Sequence, residues 1–135
     1  MREPSLHHIG QVVSSIADSM EAWRGALGAT GQSEIFHDPI QRVRVAFLDL
    51  PGGAVKFELV EPTGPDSPVH SFARKGGGLH HVCFEVDHLE GHIEHMQGLK
   101  AMLISAPQPA VAFGGRRIAW MYLREKLLVE YLERG

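Results

Sequence analysis

The 135-residue sequence has one cysteine, no long apolar run and no marked excess of either charge. The single cysteine, Cys83, excludes an internal disulfide and a zinc site built on cysteine pairs, which favours a reducing compartment. No segment reaches the roughly 20 apolar residues of a transmembrane helix, and residues 1–8 lack the apolar run of a signal peptide. These absences predict a cytoplasmic protein without a membrane partner.

The charge balance excludes a further class of partner. With 13 basic and 16 acidic residues the formal net charge is −3, so we expect no nucleic-acid binding. A small basic cluster predicts either solvated surface charges or a contact with the phosphate or carboxylate of a small ligand. Its members are Arg116, Arg117, Arg124 and Lys126.

The sequence contains an internal repeat with an offset of 72 or 73 residues. The matched segments are His7-His8-Ile9 with His80-His81-Val82, Ala46-Phe47-Leu48 with Ala119-Trp120-Met121, and Phe57-Glu58-Leu59-Val60 with Val129-Glu130-Tyr131-Leu132. A chain of this length is too short for two independently stable domains. We therefore expect both copies to share a single domain.

Each copy is predicted to contain one amphipathic helix. Ser15 and Gly28 are suitable N-cap and C′ residues for a helix over 15–28, and Asp87 with Glu90 predicts the start of a helix that ends near residue 98. The apolar stripes are Ile16, Met20, Trp23 and Leu27 in the first helix and Leu89, Ile93 and Met96 in the second.

Short segments rich in β-branched or aromatic residues predict the strands. They lie near residues 6–13, 31–37, 43–50 and 55–61 in copy one and near 79–86, 101–105, 116–123 and 127–132 in copy two. We expect an α+β fold of two tandem βαβββ modules, forming a curved, partly open eight-stranded mixed sheet with the helices on its outer face. Module one spans about 5–62 and module two about 78–135, and residues 63–77, which end within the run Gly76-Gly77-Gly78, predict a flexible connector.

The same polar positions recur on the first and last strand of each copy. A polar side chain that faces a core is costly unless it is paired or coordinated. A histidine and a glutamate lie 50 residues apart in copy one and 49 apart in copy two, and a pseudo-twofold arrangement would bring all four to one divalent ion. Such a set suits Zn, Co, Ni, Mn or Fe. The residues are His8, Glu58, His81 and Glu130.

Three of these assignments have alternatives. Adjacent strand residues face opposite sides of a sheet, so only one histidine of each neighbouring pair can be a ligand. The pairs are His7 with His8 and His80 with His81. For Glu58 the alternative is a surface ion pair with Lys56, which shares its face of the strand.

These segments resemble the vicinal oxygen chelate (glyoxalase/bleomycin resistance/dioxygenase) superfamily over nearly the whole chain. Within it they are most similar to methylmalonyl-CoA epimerase, especially at His8-Ile9-Gly10, Phe57-Glu58-Leu59-Val60-Glu61-Pro62, Asp66-Ser67-Pro68-Val69 and Gly77-Gly78-Leu79-His80-His81-Val82. The resemblance implies the metal ligands His8, Glu58, His81 and Glu130, with Glu130 also acting as the catalytic base.

The resemblance implies a metal-dependent epimerase or isomerase that abstracts a proton next to a carbonyl and stabilises an enolate. Its substrate would be a small carbonyl compound or acyl thioester, and its assembly a homodimer. A glyoxalase I-like lactoylglutathione lyase and a non-catalytic small-molecule-binding or resistance protein are the alternatives. The chain departs from the epimerase pattern at Val45, where some members have a glutamate, and in residues 122–127, which lack the usual His-Pro-Lys start and glycine-containing loop.

Overall fold

The computed structural model describes residues 2–135, which form nine strands and three α-helices in a mixed α+β fold. In chain order the elements are β1 (Ser5–Val12), α1 (Ile16–Leu27), β2 (Gly31–Gln32), β3 (Phe36–Asp38), β4 (Val43–Asp49), β5 (Lys56–Pro62), α2 (His70–Arg74), β6 (Gly78–Val86), α3 (Leu89–Gly98), β7 (Met102–Pro109), a 3-10 turn (Val111–Phe113), β8 (Arg117–Tyr122) and β9 (Leu128–Glu133). The predicted fold class is confirmed. Within residues 2–135, none of the helices is long and apolar enough to cross a bilayer.

The structure has nine strands where eight were expected, because the segment near residues 31–37 forms two short strands. Both pair antiparallel with β4, but Gln32 lies opposite Leu48 and Phe36 opposite Val45, so the outer segment has one more residue than its partner. An extra residue of this kind interrupts the ladder. Ser33 bridges the break, since its hydroxyl accepts a 2.8 Å hydrogen bond from the backbone N–H of Phe47.

The chain forms two compact units, one of residues 8–80 and the other of residues 81–135 with residues 2–7. In the first unit the strand order is β2-β4-β5-β1, with β3 also on β4, and in the second it is β6-β9-β8-β7. The first strand of each module pairs in parallel with the last, β1 with β5 and β6 with β9, whereas the other pairings within each unit are antiparallel. In each module the first and last strands, which carry the predicted ligands, thus lie side by side.

Helix α1 begins and ends as predicted and covers one face of its unit's strands. The Ser15 hydroxyl accepts a hydrogen bond from a first-turn N–H, and Gly28 ends the helix with a φ of 63°. The apolar stripe of α1 packs against Phe57 and Leu59 of β5. Glu58 lies between these two residues, so its side chain points to the opposite face of the strand.

Helix α3 repeats this arrangement in the second unit. Leu89 and Ile93 pack in one core with Val129 and Tyr131 of β9. Glu130 lies between the last two residues and therefore points away from the helix. The helices thus cover the faces of β5 and β9 opposite the two glutamates.

The predicted cap of α3 by Asp87 is wrong. The N-cap residue is His88, which makes no side-chain capping bond. The Asp87 carboxylate instead accepts hydrogen bonds from the Arg134 guanidinium at 2.8 Å and from the backbone N–H of Arg2 at 2.6 Å. These donors hold the pKa of Asp87 at about 2. An arginine side chain is a stronger partner for this carboxylate than a neutral helix N–H.

A glutamate on the last strand of each module binds the start of that module's helix. Glu61 accepts a hydrogen bond from the backbone N–H of Ile16 at 2.7 Å, and Glu133 accepts one from Leu89 at 3.4 Å. Each glutamate also pairs with an arginine at 2.9 Å. The arginines, Arg44 and Arg117, are 73 residues apart, so the repeat extends to these contacts.

The segment expected to be a flexible connector contains helix α2. The backbone N–H of Gly77 donates to the carbonyl of Phe72 at 3.0 Å and so closes the end of this helix. Gly77 has a φ of 73°, and a Cβ placed there would lie 2.3 Å from the carbonyl oxygen of Val12. The glycine run is therefore required by a left-handed turn and a close backbone approach rather than by flexibility.

Candidate metal centre

The first unit contains a buried histidine–glutamate pair. His8 lies on β1 and Glu58 on the adjacent strand β5, where Gly10 is the residue directly opposite Glu58. The Nε2 atom of His8 is 3.3 Å from Oε1 of Glu58. His8 is 0% exposed and Glu58 5% exposed, so water solvates neither polar group appreciably.

The second unit contains the equivalent pair. His81 lies on β6 and Glu130 on β9, and Cys83 is the residue opposite Glu130 in the parallel ladder. The Nε2 atom of His81 is 3.4 Å from Oε1 of Glu130, and the two residues are 5% and 3% exposed. The two modules therefore bury the same pair of side chains at nearly the same separation.

Each of these histidines also touches an aromatic ring edge-on. The ring of His8 lies 5.4 Å from that of Phe47, and the ring of His81 lies 4.7 Å from that of Trp120, both as T-shaped contacts. Phe47 lies opposite Glu58 in the β4–β5 ladder, as Trp120 lies opposite the glutamate of the β8–β9 ladder. These rings restrict the orientation of both imidazoles.

The two histidines of each adjacent pair differ in burial. His7 and His80 are only half-buried, and each packs its ring against a different phenylalanine, Phe113 and Phe72 respectively. The fully buried histidines beside the glutamates are His8 and His81.

The contacts of Lys56 bear on the alternative interpretation of Glu58, a surface ion pair. Lys56 is only half-buried, and its ammonium group binds the Asp49 carboxylate at the end of β4. The Glu58 carboxylate is buried beside His8. A surface ion pair between Lys56 and Glu58 is thus excluded as the reason for this glutamate.

The geometry of each pair fits two ligands of one metal ion. Ligand atoms held at about 2.0–2.2 Å from an ion with octahedral or tetrahedral angles lie roughly 2.8–3.6 Å apart. The observed Nε2–Oε1 separations, 3.3 and 3.4 Å, fall in that range. Burying a carboxylate costs several kcal/mol unless a positive charge or hydrogen bonds compensate, and a divalent cation supplies such a charge. Imidazole nitrogen and carboxylate oxygen suit Zn, Co, Ni, Mn and Fe.

The strand position where some epimerases carry a glutamate holds a buried aliphatic residue. Val45 is 6% exposed and lies opposite Val60 and Phe36 in the sheet. The only acid of that strand, Asp49, is paired with Lys56. In the first unit this strand therefore supplies no unpaired carboxylate.

Two of the four residues in the predicted basic cluster are engaged in ion pairs. Arg116 binds Glu85 at 3.0 Å, and Arg117 binds Glu90 at 2.7 Å and Glu133 at 2.9 Å. Hydrogen bonds from the Arg117 guanidinium lower the pKa of both of its glutamates. These paired arginines favour the structural interpretation of the cluster over an anion site.

Residues 122–127 form a tight turn between β8 and β9. The backbone N–H of Leu123 donates to the carbonyl of Leu127 at 2.9 Å, and Lys126 adopts a positive φ of 69°. Arg124 and Lys126 are exposed in this turn. The departure from the epimerase pattern is thus a short hairpin connection.

Sequence reasoning missed the contacts that surround the two pairs. The aromatic partners Phe47 and Trp120 lie inside matched segments of the repeat, and the helix-binding glutamates Glu61 and Glu133 have the same 72-residue offset as the ligand glutamates. Extending the repeat comparison to every polar and aromatic residue would have identified them. Their partners were not predictable, since those lie on other strands and helices.

The fold and the repeated pair define a class of duplicated α+β proteins that have one potential ligand pair in each module. The chain belongs to the glyoxalase/bleomycin resistance protein/dioxygenase superfamily, whose family model matches residues 7–120. It is 38% identical to the uncharacterized protein YqjC of Bacillus subtilis over 95% of this chain and 91% of that one.

Two further similarities concern methylmalonyl-CoA epimerases. The chain is 35% identical to the mitochondrial enzyme of Mus musculus over 74% of its own length and 56% of the mouse protein, so it spans little more than half of that relative. A variant of the Streptomyces coelicolor enzyme, solved in complex with 2-nitronate-propionyl-CoA, superposes with a TM-score of 0.80 at 25% identity. That match covers 97% of this chain and 94% of the other.

Proposed function

We propose that this chain is a divalent-metal-dependent enzyme that moves a proton next to the carbonyl of an acyl thioester, most like a methylmalonyl-CoA epimerase. The observation that carries the proposal is the buried histidine–glutamate pair repeated in both modules. Similarity to methylmalonyl-CoA epimerases supports the substrate class. The proposal joins the two pairs in one site with the ligands His8, Glu58, His81 and Glu130.

The metal would supply a positive charge that stabilises the enolate oxygen formed when the neighbouring C–H loses its proton. We assign the proton transfer to the carboxylate of Glu130, which is 3% exposed and lies opposite the buried Cys83 in the ladder. The edge-on ring of Trp120 keeps the His81 imidazole beside this carboxylate. Because Val45 replaces a possible second carboxylate, the returning proton comes from Glu130 or from solvent.

The first test combines metal analysis with a matched pair of variants. We expect purified protein to contain about one divalent ion per chain, and His81→Ala to lose it. His80→Ala is the control, because the neighbouring His80 is half-buried on the other face of the same strand. Full metal content in His81→Ala, or equal loss in His80→Ala, would contradict the assignment of ligands.

The second test follows the proton. NMR should detect metal-dependent deuterium incorporation at C2 of methylmalonyl-CoA, and Glu130→Gln should slow it by about 10²–10⁴-fold, the usual contribution of a general base. Glu130→Asp keeps the carboxylate and should retain more activity than Glu130→Gln. A protein that binds metal yet exchanges no deuterium would remove the epimerase proposal and leave the metal site standing.

A second candidate is a glyoxalase I-like lactoylglutathione lyase. The observation that favours it is the pair of departures from the epimerase pattern, the buried Val45 and the tight turn at 122–127. Turnover of the hemithioacetal of methylglyoxal and glutathione, in the absence of exchange on methylmalonyl-CoA, would select this reaction. Binding of small molecules without either turnover would favour a resistance-type protein.

A further inference from the structure

Helix α3 has three histidines outside the histidine–glutamate pairs. His88 is its N-cap residue, His92 follows four residues later, and His95 three residues after that. Residues three and four apart lie on the same side of a helix. The side chains therefore form one row, on a surface that the proposed reaction does not use.

The middle histidine of the row is held in place. His92 is half-buried, and its ring makes a T-shaped contact with Tyr131 of β9 at 4.5 Å. The exposed ring of His95 lies 6.0 Å from that of His92. Two imidazoles that share one ion, with metal–nitrogen bonds of about 2.0–2.1 Å, have ring centres roughly 4.5–6.5 Å apart. The observed spacing thus allows both rings to bind a single metal ion.

The three histidines line one open depression of about 670 Å³ in the second unit. Two carboxylates also line it, Glu3 and Asp87, and Asp87 is already bound by Arg134 and by the backbone of Arg2. The imidazole nitrogens are therefore the more numerous metal-binding atoms of the depression. Nitrogen donors favour Zn²⁺, Ni²⁺ or Cu²⁺ over Mg²⁺ and Ca²⁺, which prefer oxygen.

We propose that this surface binds one divalent transition-metal ion through His92 and His95. These two histidines are three residues apart and so lie on the same side of the helix. The proposed ion differs from the one assigned to the pairs, because Tyr131 beneath His92 faces the opposite side of β9 from Glu130. The inference does not depend on the proposed reaction.

The test measures Zn²⁺ binding to the tag-free protein by isothermal titration calorimetry. We expect a site that weakens at least about tenfold in His95→Gln and is abolished in the double variant His92→Gln/His95→Gln. His37→Gln is the matched control, since His37 is also exposed but lies on β3. Cu²⁺ should likewise broaden the NMR signals of His92 and His95 before those of the control histidine.

Identical Zn²⁺ affinity and stoichiometry in the wild type and the double variant would overturn the proposal. An equal loss in His37→Gln would overturn it too, because binding would then reflect surface histidines in general. His92 packs on Tyr131, so its replacement can disturb the fold. The single variant His95→Gln changes only an exposed ring and decides the question if the double variant unfolds.

Discussion

Replacing Gly77 with alanine should destabilise the protein far more than the same change at Gly28. Both glycines have similar left-handed backbones, with φ of 73° and 63°. An alanine in that conformation costs about 1–2 kcal/mol. At Gly28 the added Cβ meets only a side-chain carbon of Pro51 at 3.9 Å, an ordinary contact. At Gly77 it would lie 2.3 Å from the carbonyl oxygen of Val12, which belongs to the backbone and cannot rotate away.

Relieving this overlap requires β1 and the glycine turn to move apart, with an overpacking cost of about 1–3 kcal/mol. We therefore expect a loss of about 2–5 kcal/mol for Gly77→Ala and about 1–2 kcal/mol for Gly28→Ala. Urea unfolding followed by circular dichroism measures both values. Equal losses in the two variants would refute the steric argument, and no loss in either would refute the backbone argument as well.

Three other predictions concern single side chains. Glu61→Ala removes the 2.7 Å acceptor of the Ile16 N–H and should cost about 1–2 kcal/mol, whereas Glu61→Gln keeps an acceptor oxygen and should cost less than half of that in the same urea assay. Hydrogen bonding to Arg117 lowers the pKa of Glu133 below its usual 4.5, so this carboxylate stabilises the fold above that pH and the effect is lost as the pH falls through the lowered pKa. Glu133→Gln should therefore show a weaker loss of stability on acidification from pH 6 to 3, and an unchanged slope would contradict this interpretation. Cys83 is 0% exposed, so a colorimetric thiol reagent should modify it only after denaturant is added, and rapid labelling of the folded protein would disprove its burial.

Helices α1 and α3 and most strands were predictable because their signals are local. Ser15 and Gly28 end α1 through contacts within a few residues, and the apolar stripes of α1 and α3 follow from helical periodicity. The split near residues 31–37 was not predictable, because it depends on the register against β4. The predicted cap by Asp87 is wrong because of another contact that is distant in sequence. Asp87 binds Arg134, which is 47 residues away.

The repeat by itself selected the four side chains of the candidate site. Polar residues that recur at the same offset in both copies, on strands whose side chains alternate between two faces, indicate a shared position in the fold. A single copy would not indicate it. The sequence also excluded a metal site built on cysteine pairs, because it contains a single cysteine.

Only the tertiary structure shows where those side chains lie and what surrounds them. Adjacent histidines cannot be distinguished by sequence parity alone, and burial was needed to select His8 and His81 over their neighbours. The ammonium group of Lys56 binds Asp49, so a surface ion pair with Lys56 does not explain Glu58. Each of these choices depends on which atoms of distant strands meet, and that is a property of packing rather than of local sequence.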